Sequence, residues 1–161
     1  MFMFKKRKNN VLYSPLDGET MCLDKVPDPA FSGGIMGNGI ALKPCSDVLC
    51  SPLDGKVLAL FPTKHAIGLV SNDGVEVLIH IGIDTVCMNG NGFKSFVEVG
   101  DKVKIGQKLI QFDKELIEKE GYSSLTMLLL TQKDKYDFNL LSEDAKKGKP
   151  LLEIYEKEVC N

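Results

Sequence analysis

The heptapeptide Leu12-Tyr-Ser-Pro-Leu-Asp-Gly18 returns 37 positions later as Leu49-Cys-Ser-Pro-Leu-Asp-Gly55, and no other feature constrains the fold as much. Proline cannot donate to a β-ladder and Asp-Gly favours a tight turn, so each copy reads as strand, corner, strand. Short apolar-polar alternations follow both copies, at 19–23 and 56–61. Two copies are too few for a solenoid; they suit a closed or sandwich-like sheet with two related corners. Further strand patterns recur at 40–43, 65–70, 75–83, 93–97, 109–112, 125–131 and 151–155, among fifteen glycines. Asp113 caps a short helix expected over 113–120, with Leu116 and Ile117 turned inward and Gly121 as its stop. The expected fold is all-β: an antiparallel β-sandwich or barrel-like sandwich with Gly/Pro-rich corners and at most short helices.

The 161 residues are expected to form one domain over 11–161, preceded by a flexible basic tail over 1–10 in which Lys5, Lys6, Arg7 and Lys8 follow Met-Phe-Met-Phe. A net charge of -2 gives no reason to expect nucleic acid. No signal-peptide core and no stretch of transmembrane length occurs in the sequence. The five cysteines, Cys22, Cys45, Cys50, Cys87 and Cys160, form no CxxC pair, which suits a reduced, cytoplasmic protein.

The stretch 74–86, GVEVLIHIGIDTV, carries the chemistry. Val75, Val77, Ile79, Ile81 and Ile83 make one strand face; Glu76, Leu78, His80, Gly82 and Asp84 make the other. The chain's other histidine, His65, alternates with Ile67 and Leu69 in the preceding strand pattern, and Asn72-Asp73-Gly74 between the two is a hairpin signal. Antiparallel pairing would set His65 almost opposite His80. A lone histidine in an apolar strand is usually structural, but two meeting across one hairpin point to metal ligation, acid-base work, or a nucleophile with a stabilising neighbour. Thr63, read on the same strand face as His65, can hydrogen-bond its ring, and Asp84 is a candidate for orienting a ligand. Phe31, Ile35 and Met36 are apolar residues in a loop-rich connection and are candidates for a contact surface.

Two other classes stay open on these residues. A zinc hydrolase would need a third ligand, which Asp84 would have to supply, and no HxH, HExxH or CxxC spacing supports it. A swinging-arm carrier would need an exposed lysine in a hydrophobic hairpin, and neither Lys64 nor Lys102 has that setting.

His80-Ile-Gly-Ile-Asp-Thr-Val86, preceded by Pro62-Thr-Lys-His-Ala66, resembles the glucose-family IIA component of the bacterial phosphoenolpyruvate-dependent sugar phosphotransferase system. Val26-Pro-Asp-Pro, Met36-Gly-Asn-Gly-Ile40, Asn89-Gly-Asn-Gly-Phe93 and Gly106-Gln-Lys-Leu-Ile-Gln-Phe-Asp113 extend the likeness over roughly residues 11–156. The resemblance implies a phosphotransferase component in which His80 accepts a phosphoryl group from phospho-HPr and passes it to the IIB domain of a sugar permease. It implies that His65 stabilises the phosphoryl group, with Thr63 supporting His65, and that no cofactor is required. Phe31, Ile35, Met36, Ile40, Phe61 and Leu78 are the residues expected to form an apolar ring for partner docking. In some relatives the unphosphorylated form regulates other transporters and kinases, with zinc bridging the two histidines and a partner carboxylate. That regulatory role is the alternative reading for His65 and His80. Asn38, Gly33-Gly34 and Met127-Leu128 depart from the family's commoner residues and are expected to touch neither histidine.

Overall fold

The computed structural model describes residues 10–158, so the basic tail expected over 1–10 lies, but for its last residue, outside the described residues. The strands in chain order are β1 (Asn10–Tyr13), β2 (Gly18–Cys22), β3 (Asn38–Pro44), β4 (Val48–Cys50), β5 (Gly55–Leu60), β6 (Ala66–Ser71) and β7 (Glu76–Ile83). They continue as β8 (Phe93–Ser95), β9 (Lys102–Val103), β10 (Lys108–Phe112), β11 (Ser123–Leu130), β12 (Tyr136–Leu140), β13 (Asp144–Ala145) and β14 (Pro150–Glu156). Helix is confined to short pieces, chiefly α1 (Pro29–Ser32) and α2 (Lys114–Lys119). The α2 cap is the expected one: the Leu116 amide donates to the Asp113 carboxylate at 3.0 Å, and Ile117 is buried.

Every strand pair is antiparallel. Eight strands form one sheet in the order β13-β2-β3-β11-β7-β6-β5-β9, and two three-stranded sheets run β1-β14-β12 and β4-β10-β8. Leu12, Leu152 and Ile154 from one small sheet and Leu49, Ile110 and Phe112 from the other join Ile40, Ile67, Ile79, Ile81 and Leu128 of the large sheet in one buried cluster. Full burial stabilises each such side chain by about 1.5–3 kcal/mol.

The sheets do not close into a barrel, which corrects the barrel-like alternative. The large sheet ends on β13 and β9, which pair on one side only. Each has two residues before the chain turns, at 146–149 and 104–107, and enters a small sheet as β14 or β10. The chain leaves the layer before the edges could meet.

The two heptapeptides are interlocked corners. The Tyr13 amide donates to the Pro52 carbonyl at 2.9 Å and the Cys50 amide to the Pro15 carbonyl at 2.7 Å. Ser14 and Ser51 each donate to the leucine carbonyl two residues on, both at 2.6 Å. Asp17 accepts from the Lys147 amide and Asp54 from the Ile105 amide, both at 2.9 Å. A Cβ on Gly18 would lie 2.0 Å from the Lys43 carbonyl oxygen, and one on Gly55 would lie 1.9 Å from that of Val70, so only glycine fits either corner.

The equivalence runs through the whole sheet. β13-β2-β3-β11 on one side matches β9-β5-β6-β7 on the other, and β1-β14-β12 matches β4-β10-β8. One half, β4 to β10, is continuous in sequence; it sits inside the other, made of β1 to β3 and β11 to β14. We call them the inner and outer halves.

Candidate functional site

The inner half's hairpin forms as the sequence suggests. Ala66 pairs with His80, Ile67 with Ile79 and Gly68 with Leu78, and the Gly74 amide donates to the Ser71 carbonyl at 3.0 Å. Val75, Val77, Ile79 and Ile81 face the main core, so Leu78 and His80 face the other way.

His65 reaches His80 by a different route from the one expected. β6 begins at Ala66, and His65 precedes it in a turn. Ala66 already occupies the His80 side of the sheet, so continued alternation would have sent His65 to the core with Ile67. Lys64 breaks the alternation with a left-handed backbone, φ 59, a conformation that costs a residue bearing a Cβ about 1–2 kcal/mol. The His65 and His80 rings consequently stand 4.9 Å apart and nearly perpendicular, at 79°. Thr63 lies in the same turn rather than on a strand, with its Oγ1 2.5 Å from His65 Nδ1.

Strand β7 ends at Ile83, where the pattern ends, but its alternation of faces breaks at Gly82. Gly82 has φ 80, and a Cβ there would lie 2.3 Å from Thr85 Cγ2 and 2.8 Å from the Ser123 carbonyl oxygen. The bend removes Ile83 from the main core and places it in a smaller cluster on the opposite face of the sheet. It also aims the Gly82 carbonyl at His80 Nδ1, 2.8 Å away. Because a carbonyl only accepts, Nδ1 carries the proton and Nε2 keeps its lone pair. Asp84 is exposed and left-handed, φ 59, beyond the strand end.

Burial holds His80 well below the ordinary 6.5, at about 4. Repulsion from His65 adds to the fall, while the Gly82 carbonyl, Asp28 and Asp84 oppose it. Burial lowers His65 as well, and only 3% of that residue is exposed. Both imidazoles are therefore neutral at pH 7.

The floor of this face is a second apolar cluster of Leu23, Val26, Phe31, Ala41, Ile83, Met127 and Leu129, with Met36 and Leu78 packed against it. Phe31, from α1, is buried and sets its ring against His80 at 5.0 Å; Phe61 meets His65 at 5.4 Å. Ile35 is 73% exposed and Phe61 is 40% exposed. Of the six candidate docking residues, Phe31, Met36, Phe61 and Leu78 lie against the histidines or the floor cluster, and Ile40 falls elsewhere. It pairs with Leu128, itself opposite Ile79, so its side chain is in the main core, and Ala41 takes the site-facing position.

Met127 pairs directly with His80 and is fully buried, so the expectation that this position stands clear of both histidines is corrected. Sequence reading missed Met127 and Leu129 as floor residues. Their alternation was visible, but their place beside β7 rests on a long-range pairing. Asn38 donates from its Nδ2 to Asp137 Oδ1 at 3.1 Å. Among the described residues no group of three metal-ligating side chains occurs. The bonds with Thr63 and Gly82 are on Nδ1 of the two histidines, so a zinc ion there would have two ligands from this pair and take the rest from outside it.

Comparison with known proteins matches this geometry. Residues 10–136 match the family described as phosphoenolpyruvate-dependent sugar phosphotransferase system, EIIA 1. The glucose-specific EIIA components of Bacillus cereus and Bacillus anthracis are each 44% identical over 129 residues, covering 80% of this chain and 78% of theirs. The solved glucose permease IIA from Mycoplasma capricolum superposes with a TM-score of 0.86 at 35% identity, over 96% of this chain and 99% of that one. The chain belongs to the EIIA 1 family of the phosphoenolpyruvate-dependent sugar phosphotransferase system, a phosphocarrier that holds a phosphoryl group transiently on a histidine.

Proposed function

We propose that His80 Nε2 is the phosphoryl acceptor, that the donor is the phosphohistidine of HPr, and that the acceptor is the IIB domain of a glucose-family permease. The observation that carries this reading is the Gly82 carbonyl on His80 Nδ1, which leaves Nε2 as the available nucleophile.

The Nε2 lone pair forms the new P–N bond as the bond to the donor imidazole breaks, and no proton leaves His80. Its Nδ1–H stays on the Gly82 carbonyl, which favours the positive charge gained by the ring. Onward transfer breaks the same P–N bond and returns the lone pair to Nε2. His65 is the neighbouring stabiliser. With the Thr63 hydroxyl donating to its Nδ1, the ring carries its hydrogen on Nε2 and can donate it to a phosphoryl oxygen. A pKa of about 4 keeps His80 unprotonated across the neutral range. Phe31, Ile35, Met36, Phe61 and Leu78 offer an apolar rim on which donor and acceptor dock in turn. No helix among the described residues is long and apolar enough to cross a membrane, so the permease would supply the membrane part.

Radiolabelled phosphoenolpyruvate passed through enzyme I and HPr tests the reading. Wild type takes label, His80→Ala takes none, and His65→Ala takes label but discharges it poorly to IIB. An unlabelled wild type would overturn it.

A further inference from the structure

We propose that Lys64 and Ser95 position the His65 ring and act through it on phosphoryl transfer, an inference that rests on the role given to His65 above. Among the described residues only Lys64, Asp84 and Asn89 combine a side chain with positive φ. Asp and Asn accept that backbone readily because their short polar chains bond locally. Lysine has no such advantage. At the equivalent step of the outer half, immediately before Asn38, the chain uses Gly37, φ 147. A lysine where the other half has a glycine points to a task for its side chain.

That side chain crosses to a different sheet: Lys64 Nζ donates to Ser95 Oγ at 3.0 Å. Ser95 ends β8 and is paired with Ile110 of β10, so the anchor belongs to the ordered small sheet. At the other end, the Lys64 amide donates to the Phe61 carbonyl at 2.7 Å, closing the turn that carries Thr63 and His65. The left-handed step aims His65 at His80, and the tether fixes where the turn sits. Displacing a transfer group by about 1 Å can cost on the order of a hundredfold in rate, so a half-buried lysine bonded to one serine is well placed to matter.

The test follows discharge of the phosphoryl group to IIB in wild type, Ser95→Ala, Ser95→Thr, Lys64→Gly and the Lys64→Gly/Ser95→Ala double variant. The same substitutions are made in a His65→Ala background, and the His65 ring is read by 15N NMR. Ser95→Ala and Lys64→Gly should each slow discharge about tenfold while His80 still takes label. The double variant should be no slower than the slower single one, and Ser95→Thr, which keeps the hydroxyl, should recover most of the rate. His65 ring shifts should move in every slowed variant, and Lys64→Gly should add nothing to His65→Ala. Wild-type discharge in Ser95→Ala and Lys64→Gly, unchanged His65 shifts, or equal slowing without His65 would overturn the positioning role. If wild type itself takes no label, the phosphocarrier reading has failed instead.

Discussion

In the inner half, β6 and β7 bring forward His65 and His80; in the outer half the same two places, at β3 and β11, hold Asn38 and Leu129. The register makes the equivalence. Ala66 pairs with His80 as Gly39 pairs with Leu129, and the central pairs His80 with Met127 and Leu78 with Leu129 exchange under the same relation. The connections differ more than the strands. In the outer half residues 23–37 fold back over the sheet, and Leu23, Val26 and Phe31 pack on Ala41, Met127 and Leu129. In the inner half residues 61–65 make only a short turn, which sets Phe61 against His65 and ties Lys64 to Ser95. One connection turns its part of the face into a small core. The other leaves its part to the imidazoles, a half-buried His80 beside a buried His65.

The largest test of this contrast exchanges chemistry for packing. His80→Ala should abolish phosphoryl uptake while leaving the fold intact. Leu129→Ala should keep uptake yet lose about 2–5 kcal/mol of stability, measured by urea unfolding. Uptake lost equally in both would mean that the two places are not divided in this way. His65→Asn, which installs the outer half's residue, should still load but transfer about 10²–10³-fold more slowly in a stopped-flow discharge assay.

Acid should separate the halves next. Both histidines bind protons more weakly folded than unfolded, so stability is full above the unfolded value near 6.5 and falls as pH drops toward about 4. Hydrogen exchange should then quicken in β6 and β7 before β3, and His80→Gln should blunt the effect. The corners should give the smallest and most even effects. Gly18→Ala and Gly55→Ala should each cost about 1–3 kcal/mol, and Ser14→Ala and Ser51→Ala about 1 kcal/mol. A clear inequality within either pair would break the equivalence of the corners.

Much of the inner half could be read locally. The hairpin at Asn72-Asp73-Gly74, the apolar face from Val75 to Ile81 and the helix cap at Asp113 are short-range patterns, and the structure contains each of them. The repeated heptapeptide announced a duplication. Its nesting could not be seen, because the outer half's partners for β1 to β3 lie beyond residue 122, and only strand pairing reveals them. Ile40 shows the same limit: a period of two gives two faces but not which one is the core. His65 escaped for another reason. Its alternation with Ile67 and Leu69 is real in sequence, and one left-handed residue cancels it in space.

The nesting also sets an order of assembly. The inner half needs only residues 48–112 to complete its ladders within one continuous stretch, whereas β1 waits for β14 and β2 for β13, more than a hundred residues away. Loop closure over that distance is slow relative to a local hairpin. As the chain emerges during synthesis, the histidine-bearing half can therefore take shape first, with its apolar sheet edge at β7 unsatisfied until β11 arrives. The strand that brings Met127 and Leu129 beside His80 also seals the growing molecule against aggregation.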